Sequence, residues 1–502
     1  MTPSRPSSET AFRVAEQIHA PQPWEVFAQR IQRFEVHLAG TRVEMVRGPI
    51  TLEGYGIRVL RPREGKTGAG FQASTDLSAA GIRATLEDAE SVARVSEFPA
   101  ARVELPGASA DKSPGPEVVD RTLWDRPLET IDAYVAEMFR GFESHREVVP
   151  SFGSVRATLS ETSIANSNGL RVQFPQTFVD FEVAVKSFGE AEGPAPGEYW
   201  VNSLTRRLEP NRLSSDINDW CRYAQDVRRA SPPPTGEVAV VLPASVLSGI
   251  LPPVLGFRFT GAARLRKIAP TPGELVATPK LTVRDDGRFP WSPGSSPFDG
   301  EGNVRQAHPL IEQGKVANLL YDALHAGAFD SRSTASAARG QSPGGFMDWR
   351  QFSRSPSVSS STLVVAPGDG GTDPELIETV EDGVWVQQLG WAIPDFISGA
   401  FGGEIRIGYR IRHGKLAEPV RGGTVGGFVM TAPGHPSLIQ NVAAIGSHPQ
   451  LAESVASPTL VVRTLTVAGE NAPQPTSKAD PSTGSSHTSG TAGRAGSRKR
   501  SR

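Results

Sequence analysis

RDDGRFPWSPGSSPFDGEGNVRQAHPLIEQGKVANLLYDALHAGAFDSRSTASAARG, residues 284–340, is the stretch that says most about this chain. Asp285-Asp286-Gly287 closes the apolar run Leu281-Thr282-Val283, the pattern of a strand ending in a turn. Phe298-Asp299-Gly300-Glu301-Gly302 is a second acidic corner bracketed by glycines, which accept positive φ without a Cβ penalty. Leu310–Val316 has the form of a hairpin leading into Leu319-Leu320-Tyr321-Asp322. Asp285, Asp286, Asp299 and Glu301 thus stand at strand ends within 17 residues. Acids so close can form a metal or proton-transfer site, but carboxylates solvated in turns are commoner, and solvated turn acids are the expectation.

With 502 residues the chain has room for two or three domains, and 38% hydrophobic with 21% charged residues suits an ordinary globular protein. It contains no uninterrupted run of 18 apolar residues, so no membrane span is expected. The start, MTPSRPSSETAFR, has no apolar segment of a secretory signal, and a lone Cys221 fits a reducing compartment. A cytoplasmic address follows as an expectation. Net charge is -2, but residues 471–502 hold six Lys and Arg against Asp480. That segment lacks Leu, Ile, Val, Phe, Tyr and Trp, so 470–502 reads as a disordered basic tail. Its basic end could touch nucleic acid or anionic lipid, but a solubilising role is the simpler reading and no nucleic-acid partner is expected.

Outward from the acidic stretch, the pattern predicts an α+β chain. An N-terminal α+β domain, 1–110, has a helix from Trp24 to Phe34 on the spacing of Phe27, Ile31 and Phe34, then strands around Gly40, at Gly56–Leu60 and at Gly70–Ser74, and a helix from Leu77 to Ala93. A proline- and glycine-rich linker, 106–116, leads to a central domain, 111–234. There a helix over 127–147 precedes strands joined at Asn168-Gly169, and a second helix over 215–230 carries Cys221 on its apolar stripe, as a packed thiol. Residues 235–469 read as a strand-rich antiparallel sheet or partly closed barrel. Its first strand, Val238–Leu242, leads into a short helix at Val246–Leu251 stopped by Pro252-Pro253, and residues 340–362 read as a long exposed loop.

Catalytic equipment is hard to find. The nearest two of the nine histidines, His435 and His448, are thirteen residues apart, so no HExxH or HExxxH pair exists. There is no Walker lysine and no cysteine cluster.

The order of the pieces is more informative than any one of them. The Leu281–Gly287 strand, Phe298–Gly302, Leu310–Gly314, Leu320–Asp322 and Ser333–Arg339 follow one another as they do in the TldD/TldE (PmbA) family of metallopeptidases, which the chain resembles. The Asn166-Ser167-Asn168-Gly169 hairpin, the Gly56–Val59 and Gly70–Ser74 strands, and Pro419–Gly427 complete the resemblance across the folded chain. The family pairs a TldD-like subunit, carrying HExxxH on a helix and a cysteine near the C-terminus, with a TldE-like one. In this chain the HExxxH window falls on Pro252-Pro253-Val254-Leu255-Gly256-Phe257, and Gly446–Gln450 offers no cysteine.

The resemblance therefore implies a TldE/PmbA-like subunit with no cofactor of its own. Zinc would sit in a TldD-like HExxxH partner, and unfolded or short peptides would be the substrates. Asp285, Asp286, Asp299 and Glu301, with loop 340–362, are the candidate peptide-contacting wall. The alternative is a stand-alone peptide-binding or scaffold protein, a homodimer that has lost the peptidase partnership.

Overall fold

The computed structural model of the chain describes residues 9–108, 115–188, 196–340, 349–390, 392–431 and 437–469. The basic tail, the middle of the 106–116 linker and positions 341–348 of the polar loop lie outside them.

Six antiparallel strands form the first sheet: β1 (Trp24–Ala39), β2 (Arg42–Arg63), β3 (Lys66–Ser74), β4 (Val148–Asn166), β5 (Arg171–Ser187) and β6 (Gly197–Thr205). Their order is β3-β2-β1-β4-β5-β6, so segments from either side of the linker share one continuous sheet. β1 is central and pairs with β4 without interruption from Glu25↔Asn166 to Ala39↔Phe152. Helices α1 (Thr10–Ala15) and α2 (Ala79–Val95) cover Val26 and Ala28 on one face. After the short α3 (Arg121–Asp125), α4 (Pro127–Phe142) and α5 (Pro210–Arg229) cover Phe34, Val36 and Leu38 further along that face. Cys221 on α5 is buried there, and desolvation pushes its thiol up to about 12, as a packed thiol requires.

The expected helix over Trp24–Phe34 is therefore a strand. Phe27, Ile31 and Phe34 have helical spacing, but the polar residues around them are no wet side. Glu25 and Gln29 are buried because the odd-numbered face of β1 meets the C-terminal half of the chain, and Gln32 is buried on the other face. Buried on both faces, β1 loses the alternation that marks a half-exposed strand.

In the C-terminal half, β7 (Gly236–Leu242) joins strands Asp382–Gly390, Ala400–Arg412, Thr424–Phe428 and Leu460–Ala468 in a ring whose pairings close on themselves. Strand-rich and barrel-like, this half accords with the α+β expectation, although β7 runs parallel to Asp382–Gly390. A second sheet contains β8 (Val283–Asp286), β9 (Ala307–Glu312) and β10 (Lys315–Val316) beside Leu363–Val365. Asp285 and Asp286 thus belong to the strand rather than to the turn after it.

Helix α6 (Ala244–Arg258) runs straight through Pro252 and Pro253, where a stop was expected. The two prolines remove the bonds to the Ser248 and Gly249 carbonyls, at about 3 kcal/mol or more for a proline inside a helix. Leu247, Ile250, Leu251, Val254 and Leu255 are all buried in the main core, at roughly 1.5–3 kcal/mol for each such side chain, which offsets the loss. A five-residue α7 (Gly261–Leu265) follows, and α8 (Ala323–Ala328) stands near the acidic corner.

The described part of the polar loop is not exposed as expected. Phe352, in a single 3-10 turn at Gln351–Ser353, is buried with Phe27, Ile164, Leu170 and Phe174 of the first sheet. Gly54 and Gly56 on β2 make room for it: a Cβ on Gly54 would lie 2.3 Å from the Phe352 ring. Its backbone N–H donates to Gln29 Oε1 at 3.2 Å, so the plug is fixed at both ends. Phe352→Ala is expected to destabilise the protein by about 3–5 kcal/mol. The urea midpoint and slope measure it, and a loss near zero would mean that Phe352 is not a plug between the halves.

Candidate functional site

The four acids of residues 284–301 separate by environment. Asp286 is partly exposed, with Arg284 Nε at 3.3 Å. The other three are buried, contrary to the expectation of solvated turn acids. Asp285 accepts from the backbone N–H of Ser361 at 2.6 Å and from its hydroxyl at 2.9 Å. Asp299 ties its own corner by accepting from the N–H groups of Glu301 and Asn303 at 3.0 and 2.8 Å, and reaches Ala337 N–H at 3.2 Å. Burial lifts both carboxyls above their ordinary range while Arg305 pulls the other way.

Glu301 is the hinge between the halves. Fully buried, it accepts from Arg58 Nη2 at 2.8 Å and from the first N–H of α8, at Ala323, at 2.9 Å. Arg58, on β2, also donates to Glu25 of β1 at 2.7 Å. Glu25 in turn pairs with Arg339, whose Nε returns to the carbonyl of Gly300 at 2.8 Å. The circuit closes: two carboxylates and two guanidiniums, none more than a few per cent exposed, join the first sheet to the acidic corner. Burial pushes Glu301 up to about 8 against the pull of Arg58, and it draws Arg339 down to about 10. Burial also works to lower Arg58, but Glu25 and Glu301 more than offset it and its pKa is raised.

Next to Glu301, Asp322 caps α8 by accepting from His325 N–H at 2.8 Å, with the His325 ring Nδ1 at 2.7 Å. Such a closed circuit holds segments in place. It presents no open carboxylate to a substrate.

Helix α6 carries the window 252–257 through which the resemblance places a metal site. Pro252 and Phe257 are half-buried, and Pro253 through Gly256 are buried. None of these side chains bears a nitrogen, oxygen or sulfur donor. The Phe257 ring meets Phe396 edge-on at 4.8 Å, and the Arg266 guanidinium lies 5.4 Å from it. Near the C-terminus, His448 is exposed and its Nδ1 is 2.8 Å from Ser447 Oγ. Among the described residues no three His, Cys, Asp or Glu side chains are grouped to hold a metal. The window does not fit zinc, which takes cysteine, histidine or carboxylate ligands.

The window nevertheless connects to the acids. A Cβ on Gly256 would lie 2.3 Å from Ser360 Oγ, and the next residue, Ser361, is the one Asp285 holds. Sequence reasoning found the acids and missed their partners Glu25, Arg58 and Arg339. The signal was available: a single charge inside an apolar run, as in Gly56-Ile57-Arg58-Val59-Leu60, predicts a buried pair.

Arg58→Met strands Glu301 without a counter-charge, leaves Glu25 with Arg339 alone, and is expected to cost about 3–5 kcal/mol. Adding Glu301→Gln to it should recover a large part of that loss, as read from urea unfolding. A mild single variant would show that the circuit does not hold the halves together.

Comparison with known proteins agrees along the chain. Profiles described as PmbA/TldA metallopeptidase domain 1, central domain and C-terminal domain match residues 24–93, 121–228 and 235–469 in succession. A Metalloprotease TldD homolog of Haemophilus influenzae is 25% identical over 207 residues, 40% of this chain and 41% of that protein. A metalloprotease of Methanothermobacter thermautotrophicus is 29% identical over 223 residues, 44% of this chain and 45% of that protein. The chain thus spans less than half the length of these two curated relatives. In three dimensions it is similar to TldE from Thermococcus kodakarensis, with a TM-score of 0.73 and 17% identity over 91% of this chain and 99% of that one. A proposed modulator of a DNA gyrase from Thermotoga maritima gives 0.75 and 18% over 92% and 99%. At such identities these two likenesses establish the fold alone.

Proposed function

Because the chain belongs to the PmbA/TldD family of metallopeptidases, we propose that it serves as the TldE-like, non-catalytic subunit of a heteromeric zinc peptidase acting on unfolded or short peptides. One observation carries this reading: the helix α6 window is kept and packed, yet its side chains at 252, 253 and 257 have no donor atoms. A metal-activated water needs ligands that fix the ion and a base to take the proton, and Pro252, Pro253 and Phe257 can do neither. Zinc belongs, on this reading, to a TldD-like partner that carries HExxxH.

The contribution of this chain is then shape. Asp285, Asp299 and Glu301, being buried, act through the segments they hold: Ser361 beside α6, Ala337 behind the corner, and the start of α8. Asp286, partly exposed at the end of β8, remains the candidate for direct peptide contact. A substrate entering between two subunits would meet both surfaces, so specificity can come from a chain without chemistry of its own. No helix among the described residues is long and apolar enough to cross a membrane.

Co-expression with an HExxxH-bearing subunit of the same family tests the reading. The two chains are expected to elute together in size-exclusion chromatography, with peptide hydrolysis and zinc in the complex. This chain alone should hold no stoichiometric zinc and cleave nothing. Separate elution, with the partner equally active by itself, would refute the subunit role and favour the stand-alone homodimer. Chelator-sensitive cleavage by this chain alone would refute its non-catalytic character.

A further inference from the structure

Between β5 of the first sheet and the acidic corner lies a cavity of about 40 Å³. On the measure in which one water needs roughly 10–15 Å³, it has room for about three waters. Three guanidiniums, of Arg206, Arg305 and Arg339, line it together with the single carboxylate of Asp299 and the amide of Gln176. Arg339 is matched by Glu25. Arg206 and Arg305 are buried and neither makes a direct ion pair among the described residues; Asp299 and Asp285 act on Arg305 as counter-charges, and none acts on Arg206.

Their donors are only partly used. Arg206 donates to the carbonyls of Ser292 at 3.0 Å, Thr177 at 3.3 Å, Pro293 at 2.8 Å and Ser295, with the Phe178 ring 3.9 Å from its guanidinium carbon. One of its five N–H groups is left over. Arg305 donates from Nη1 and Nη2 to the carbonyls of Ala335 and Ala337, both at 3.1 Å, while its buried Nε has no partner. The Gln176 side chain, only 4% exposed, makes no hydrogen bond among the described residues. A fully buried cation without a counter-charge is costly, and burial alone draws Arg206 down to about 9. Carbonyl dipoles relieve part of that cost, but they supply no net negative charge.

We propose that this cavity binds a small oxyanion, held by the Arg206 and Arg305 guanidiniums and the Gln176 amide. Two sources share that chemistry, inorganic phosphate and the terminal carboxylate of a short peptide. The site is separate from the α6 window and needs no metal, so it stands or falls independently of the subunit reading.

The full chain, at fixed ionic strength set with sodium chloride, is titrated with inorganic phosphate, with Ala-Ala, and with Ala-Ala amide, following melting temperature and calorimetric heat. A saturable rise in melting temperature with phosphate or with free Ala-Ala, and none with the amide, is the expected result. The arm that responds identifies the oxyanion. Gln176→Leu removes a donor that makes no bond within the protein, so its melting temperature without anion should match the parent. Its affinity should fall roughly tenfold or more, as for loss of a hydrogen bond to a charged group. Absence of a saturable response to either oxyanion would overturn the proposal, and so would unchanged affinity in Gln176→Leu.

Discussion

Four buried charges decide how the two halves of this protein meet. Taking a carboxylate or guanidinium out of water costs several kcal/mol per ion, even after relaxation. Glu25 and Arg58 come from adjacent strands of the first sheet, Glu301 and Arg339 from the corner and the segment beyond it. Shifting one half against the other by the width of one residue would leave charges of both signs unpaired. Hydrophobic contacts such as Phe352 against Phe27 and Phe174 supply attraction, but a greasy face tolerates sliding. The ion circuit does not, so it sets the register between halves while the aromatic plug supplies adhesion.

The same corner passes its position on to α6. Arg305, reaching the Ala335 and Ala337 carbonyls, and Asp299, accepting from Ala337 N–H, hold one strand of chain behind the corner. Asp285 holds Ser361, and Ser360 fills the space that a side chain at Gly256 would need. Each link is a contact of a few ångströms between named groups. Together they tie the helix window to the first sheet without any residue spanning the distance.

Much of this was legible in the sequence, for identifiable reasons. The hairpin at Asn166–Gly169 was readable because Asn166 accepts from the N–H groups of Asn168 and Leu170, a local bond that any sequence window contains. Helices α2, α4 and α5 were readable because each buries one stripe and wets the other. Reading failed where burial is decided by distant segments. β1 is covered on both faces, so the spacing of Phe27, Ile31 and Phe34 imitated a helix. Glu301 looked like a surface turn residue because its cation, Arg58, lies more than 200 positions away. Helix α6 broke the proline rule because its core face outweighs two lost bonds. None of these three outcomes can be computed from a short window, since in each the deciding partner is absent from it.

Helix α6 also shows how chemistry and fold separate along one element. Of the six positions in its window, 253 to 256 are buried in the core or against the Ser360 segment, and they cannot change freely. Positions 252 and 257, where the family pattern places its two metal-binding histidines, are the half-buried ones. Their side chains lie at the edge of the packing, so replacing them removes ligands without opening a cavity. Phe257 goes further, since its ring gains a partner in Phe396. The position between them in role, 253, is buried, and proline there is compatible with the helix only because the surrounding core holds it. A metal ligand must face its ion and not the core, and on this helix the two outer positions of the window, 252 and 257, are the ones the packing needs least. The sheet, the corner and the ion circuit therefore do not depend on the side chains at 252 and 257, and the fold around α6 is held by residues outside those two positions.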